Sequence, residues 1–110
     1  MVVKFFANYC APCKKTLPAA EELARRRPEV SVIGISEDEL ASDARRTVAT
    51  YGLTFPVIHD RDNLIAGRFG VTEMPIAFVI DAAGVVRWAA DDTHNEADLE
   101  RAVDGATAGR

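Results

Sequence analysis

Runs of β-branched and aromatic residues alternate with stretches of helical periodicity along this chain, and that alternation limits the folds open to it. Val2–Phe6 reads as a short buried strand. Residues 11–27 read as a helix, with apolar Leu17, Ala20, Leu23 and Ala24 at helical spacing and Pro28 past its end. Pro18 inside it predicts a kink, because proline removes a hydrogen bond and crowds the preceding turn. Residues 30–35 read as the next strand. The acidic stretch 37–43 leads into a helix ending near Tyr51-Gly52. Phe55-Pro56 opens an extended piece reaching Ile58, and Leu64–Phe69 reads as a short helix closed by Gly70. Ile76–Ile80 and residues 85–89, joined by a turn over 81–84, read as a hairpin. Thr93 and Glu96 have capping-box spacing and predict a last helix through about Ala106, with Gly109-Arg110 as a frayed end.

A βαβ beginning, a middle helix, a hairpin and a terminal helix make an α/β fold. Its central sheet is expected to be mixed, parallel in the first half and antiparallel in the second, with helices flanking it. The 110 residues fit a single domain, and 48% apolar with 27% charged residues is an ordinary globular balance. A net charge of -4 and the lack of a basic stripe argue against nucleic acid as a partner. The wholly apolar runs are only a few residues long, whereas a membrane helix needs about 20, so no membrane segment is expected. No signal peptide is expected either, since no apolar region follows Lys4.

The chain has two cysteines, Cys10 and Cys13, three positions apart. A disulfide between them closes a very short loop and adds little to unfolded-state entropy, so a chemical use is favoured over a structural one. Strand, then Asn8-Tyr9-Cys10-Ala11-Pro12-Cys13, then helix places Cys10 at the N-terminus of the first helix. Free backbone N–H groups and the helix dipole there favour a thiolate, and Lys14 and Lys15 add positive charge. Pro12 falls where a missing N–H costs nothing. Cys13 lies about one turn on, close enough to resolve a mixed disulfide formed at Cys10. A zinc half-site would need two further ligands, and His59 and His94 lack paired ligand spacing. A c-type haem site would need His after Cys13, where Lys14 stands. Two inert buried thiols are the remaining alternative.

The segment Phe5-Phe6-Ala7-Asn8-Tyr9-Cys10-Ala11-Pro12-Cys13-Lys14 resembles the active-site segment of thioredoxin-fold proteins, with Tyr9 where Trp is usual. Tyr51-Gly52-Leu53-Thr54-Phe55-Pro56-Val57 resembles a segment of the TlpA/ResA-like bacterial thiol–disulfide oxidoreductases. So does Phe69-Gly70-Val71-Thr72-Glu73-Met74-Pro75, followed by Phe78-Val79-Ile80-Asp81 and Gly84. The likeness covers residues 2–86. It implies a thioredoxin fold in which Pro75 is cis and faces the cysteine pair. It also implies that the Met74 backbone pairs with an extended substrate peptide, with Tyr9 and Pro12 beside it. The activity implied is disulfide exchange with protein substrates, running as a reductase supplied by an upstream electron donor. The redox-active disulfide is the carrier, without metal or organic cofactor, in a monomeric periplasmic or membrane-anchored extracytoplasmic protein; a cytoplasmic setting stays open.

Three departures qualify this likeness. Lys4 stands six residues before Cys10, where thioredoxins carry a buried Asp and TlpA/ResA-like relatives often Asn. Burial would drive it toward neutral, unless it snorkels to the rim. Glu37 falls where some relatives carry a glutamate near the cysteines; it is expected to accept the Cys13 proton, to pair with Lys4, or to lie in solvent beside Asp38 and Glu39. The family also has residues before the first strand seen here, so its N-terminal hairpin is expected to be missing and an edge left open. Two rival functions remain. A peroxiredoxin-like peroxidase usually has Thr three residues before its reactive Cys, where this chain has Ala7. A redox-silent thioredoxin-like binding module would leave both thiols idle. Trp88 is expected to pack in the core or rim, His59 and His94 to lie in exposed loops, and Arg25, Arg26 and Arg27 to form a solvated helix end.

Overall fold

The structure, a computed structural model, describes residues 1–72, 74–90 and 96–108. Its elements are β1 (Val2–Phe6), α1 (Cys13–Arg26), β2 (Val32–Ser36), α2 (Ala41–Tyr51), β3 (Val57–His59), α3 (Leu64–Phe69), β4 (Ile76–Ile80), β5 (Val86–Ala90) and α4 (Glu96–Ala108). A single 3-10 turn, Arg61–Asn63, precedes α3. Among the described residues the sheet has five strands in the order β3-β2-β1-β4-β5. β1 pairs parallel with β2, and β2 with β3, while β1–β4 and β4–β5 are antiparallel. This is the mixed sheet of a thioredoxin fold. Thr93, His94 and residues 109–110 lie outside the described residues, and so do the cap and frayed end expected there. α1 continues through Pro18 as one helix.

β1 is buried at every position because both faces of the sheet are covered, which is why it reads as a nearly unbroken apolar run. Its alternating side chains feed two cores. Val2 and Phe6 join Cys13, Leu17, Leu23, Leu99 and Val103 on the side of α1 and α4, with Val48 and Tyr51 of α2 packed against the same cluster. Val3 and Phe5 join Ile35, Ala66 and Phe78 on the side of α3. There the Phe5 ring lies 5.4 Å from Phe69 and 5.9 Å from Phe78, edge-on in both cases.

Lys4 has the parity of Val2 and Phe6 and so faces the α1 layer. It is fully buried, and its Nζ donates to Thr16 Oγ1 at 2.6 Å. It does not snorkel. Its partner in the parallel ladder is Gly34, where a side chain would collide with its neighbours. A Cβ there would stand 2.8 Å from Phe55 Cε1, 3.0 Å from Phe6 Cε1 and 3.2 Å from Val57 Cγ2.

Two side-chain clasps fix the layers. Glu21, buried on α1, accepts from the Thr54 N–H and hydroxyl, both at 2.7 Å, and from Arg25 at 2.6 Å. Arg26 pairs with Glu100 and Arg27 with Asp104, so the arginine run ties α1 to α4 rather than facing solvent alone. Trp88 packs against the α1-side core, as expected.

Two outcomes test this packing. Gly34→Val is expected to lower stability by about 1–3 kcal/mol, because the crowding atoms belong to aromatic rings and a strand neighbour with no room to retreat. Equilibrium unfolding in urea reads it directly. Burial lowers the Lys4 pKa from 10.5 to about 7. The unfolded chain therefore holds a proton that the folded chain lacks between about pH 7 and 10.5, so the cost of burial is full below pH 7 and fades as pH rises. Lys4→Met is expected to stabilise the protein by about 2 kcal/mol at pH 6, and by clearly less at pH 9.5. A gain independent of pH would contradict a titrating buried amine.

Candidate active site

The site begins where β1 leaves the sheet. Past Phe6 the chain winds through three-residue turns: the N–H of Cys10 donates to Ala7 O at 3.1 Å, and that of Cys13 to Cys10 O at 3.2 Å. Lys14 then donates to Ala11 O and Lys15 to Pro12 O. α1 starts at Cys13 behind Pro12, whose φ of -62° suits a helix entry. Cys10 thus lies just ahead of the helix, and the N–H groups of residues 13–15, expected to be free, are already bonded. Positive charge near Cys10 comes instead from Lys14, which is exposed and lines a cleft with it.

Cys10 and Cys13 form a disulfide with a Cα–Cα distance of 5.4 Å. Cys10 is 8% exposed and Cys13 1%, so attack from solvent meets Cys10 first. Tyr9 projects into solvent, 70% exposed. The Met74–Pro75 bond is cis, as the resemblance implied. Pro75 is buried, and Met74 packs against the cluster that holds both cysteines. Glu73 lies outside the described residues.

The loop carrying the cysteines is anchored by residues that the sequence reading left in solvent. Asp38 is 3% exposed; its Oδ1 accepts the Asn8 N–H at 2.7 Å and its Oδ2 accepts the Ser36 hydroxyl at 2.8 Å. His59, expected in an exposed loop, is half-buried on β3 and donates from Nε2 to Asp38 O at 2.7 Å. A carboxylate with two short charge-assisted hydrogen bonds holds its partners firmly. Asp60, 4% exposed, accepts the N–H groups of Ile65 and Ala66 at 3.0 and 2.9 Å. It thereby satisfies the first turn of α3, whose N-cap residue Asn63 makes no side-chain cap bond.

Glu37 is buried too, 8% exposed, and both carboxylate oxygens lack a donor. It does not pair with Lys4, which is bonded to Thr16. Desolvation first, then Asp60 and the charge of Asp38, raise its pKa to about 8. Asp60 moves the other way: burial alone would raise it, but the Ile65 and Ala66 N–H groups outweigh that and hold it below its usual value. Ionised, Glu37 and Asp60 can only repel; with Glu37 protonated, its O–H can donate to Asp60. The shared environment thus favours the proton on Glu37 over Asp60.

Two clefts open near these residues. One, of about 250 Å³, is lined by both cysteines, Lys14 and the α2 residues Arg46, Thr50 and Tyr51. The other, of about 300 Å³, is lined by Tyr9, Glu37, Met74, Thr72 and the α3 residues Ala66 and Gly67. Tyr9, Met74 and Glu37 thus share one cleft, whereas the cysteines line the other. Among the described residues no group of three or more His, Cys, Asp or Glu is arranged to hold a metal ion.

Residues 1–89 match the model of the AhpC/TSA family. The thiol-disulfide oxidoreductase ResA of Bacillus thuringiensis is 36% identical over 86 residues, which are 76% of this chain and 50% of that protein. The chain thus spans about half the length of the curated relatives it matches first. Among solved structures, MTB DsbF, described in mixed oxidized and reduced forms, superposes with a TM-score of 0.88 at 25% identity, over 96% of this chain and 78% of that one. A thiol:disulfide interchange protein of the thioredoxin family from Chlorobium tepidum gives 0.83 at 28% identity, over 96% of this chain and 77% of that one. With its family-model match, its ResA relatives and this fold, the chain belongs to the AhpC/TSA family and is a TlpA/ResA-like member of the thioredoxin superfamily.

Proposed function

We propose that this protein is a thiol–disulfide oxidoreductase that exchanges disulfides with protein substrates and runs as a reductase. One observation carries the reading: the Cys10–Cys13 disulfide lines an open cleft, with Cys10 the more exposed sulfur. In the forward direction the Cys10 thiolate attacks a substrate disulfide, forming a mixed disulfide and releasing one substrate thiolate. The Cys13 thiolate then attacks Cys10 Sγ, releasing the second substrate thiolate and closing the Cys10–Cys13 bond. Two electrons pass to the substrate, and the two thiol protons end on its sulfurs. An upstream thiol donor reopens the bond by the reverse steps. No organic cofactor enters this scheme.

Tyr9, Pro12 and Met74 bind the substrate segment in this reading, and Pro75 shapes the groove. Support comes from Tyr9 and Met74 lining one cleft with Glu37, and from the cis bond that the resemblance implied. Glu37 moves protons for the reacting thiols, because a carboxyl poised near pH 8 in a desolvated cleft suits acid–base transfer. Lys4, bonded to Thr16 three residues beyond Cys13, puts a second titrating group under the same turn. The protein acts as a monomer outside the cytoplasm, a setting drawn from the family resemblance alone.

Limiting iodoacetamide near pH 7 is expected to label Cys10 of the reduced protein faster than Cys13, read by peptide mass mapping; the reverse order would overturn the assigned roles. Pro75→Ala is expected to lower insulin-disulfide reduction about tenfold or more, and Cys10→Ser to abolish it. If instead the protein consumes hydrogen peroxide and leaves insulin intact, the peroxidase reading holds.

Glu37→Gln is expected to slow decay of a trapped Cys10 mixed disulfide about tenfold, while alkylation of Cys10 changes little. The same substitution has a stability signature. Folded Glu37 keeps its proton to about pH 8, whereas the unfolded side chain loses it near 4.5. Wild-type stability from this group therefore falls between those pH values, and Glu37→Gln is expected to gain on wild type across that window. Unchanged resolution kinetics would remove Glu37 from the mechanism.

A further inference from the structure

The cleft that holds the disulfide and the cleft that holds Glu37 differ in their charged lining. The chain as a whole is acidic, with a net charge of -4. At the far end of α1, Arg25, Arg26 and Arg27 are each paired with a carboxylate. At the disulfide end the pattern changes. Lys14 and Lys15 follow Cys13 directly, and α2 carries Arg45 and Arg46; all four are exposed. Among the described residues, Lys14, Lys15 and Arg45 take part in none of the ion pairs, and Arg46 has only a 3.4 Å bridge to Asp43 on its own helix. Lys14 and Arg46 themselves line the cleft that contains Cys10 and Cys13. The opposite cleft carries Glu37, with Asp60 and Asp38 behind it.

We infer that the cleft between α1 and α2 selects protein partners whose reactive cysteine is flanked by acidic residues, with Lys14 and Arg46 receiving the partner's carboxylates. This rests on the exchange function proposed above and names the substrate class of that site. Charge complementarity argues for this occupant. An acidic protein repels acidic partners over most of its surface, so an unpaired Lys14 and a loosely paired Arg46 in the cleft of the reacting sulfurs create a local attraction where it counts. The hydroxyl-bearing Thr50 and Tyr51 on the same wall give a bound carboxylate further hydrogen-bond donors. A cationic flank is disfavoured here by Lys14 and Arg46. The chemistry of the exchange is unchanged: the partner's sulfur forms a bond to Cys10 Sγ, and its leaving thiolate departs with the electron pair.

The test uses the reduced full chain and three synthetic peptides. Each has one cysteine capped as a mixed disulfide with 2-mercaptoethanol, flanked by two Glu, two Gln or two Lys. Release of the free peptide is followed by acid quench and mass spectrometry at low and high salt. Wild type is expected to prefer the Glu peptide over the Lys peptide about tenfold at low ionic strength, and to lose most of that preference at 1 M salt. Arg46→Glu and Lys14→Glu are each expected to cut the Glu/Lys rate ratio several-fold, judged against the Gln peptide in the same variant. The salt arm needs no substitution, so it stands even if a variant folds poorly. If all three peptides react but the Glu/Lys ratio ignores salt and both charge reversals, the inference is wrong and the exchange function survives. If none of the peptides reacts, the exchange function fails and the inference falls with it.

Discussion

Burial of β1 on both faces and both edges is the constraint from which the site follows. A central strand with a parallel neighbour on one side and an antiparallel one on the other has no freedom of register. Its carboxyl end then delivers Ala7 and Asn8 beside the end of β2. There Glu37 N–H donates to Phe6 O at 2.8 Å, and Asp38 takes hold of Asn8. The antiparallel β4 brings its own start, just after Pro75, to the same edge, with Phe5 opposite Ile76. Cysteines, cis-proline and buried carboxyls converge because β1 and β2 end where β4 begins, at the edge where open α/β sheets bind.

The polar groups under this edge are costly, and their arrangement accounts for most of that cost. Asp38 and Asp60 are compensated by N–H and O–H donors, so their burial secures the cysteine loop and the start of α3. Lys4 and Glu37 are less well compensated. Lys4 has one hydroxyl acceptor, and Glu37 faces other carboxyl groups. Both ordinary pKa values move toward neutrality for that reason, one downward and one upward. In each case desolvation of the charged form is the largest cause of the shift.

Much of this was legible in the sequence, for definable reasons. Leu64–Phe69 and Ile76–Ile80 lie within their expected bounds, since each is bracketed by a glycine or proline that ends or starts it. Boundaries set by tertiary packing moved: β2 begins at Val32 rather than at residue 30, and α1 begins at Cys13 rather than at residue 11. The cysteine pair announced itself because two thiols so close in a chain with no others have few uses. Asp38, Asp60 and His59 did not, because a short acidic run after a strand looks the same whether it faces water or the loop of a neighbouring strand.

The sequence by itself determined the order of elements, the mixed sheet and the dithiol at the start of the first helix. Those depend on side-chain periodicity and on residues adjacent in the chain, which local pattern reports. Only the tertiary structure decided that Lys4 bonds Thr16 rather than Glu37, that the N–H groups of residues 13–15 are already taken, and that Lys14 and Arg46 share a cleft with the cysteines while Glu37 lines another. Each of these depends on which groups from distant segments share a low-dielectric volume, and spacing along the chain carries no measure of that.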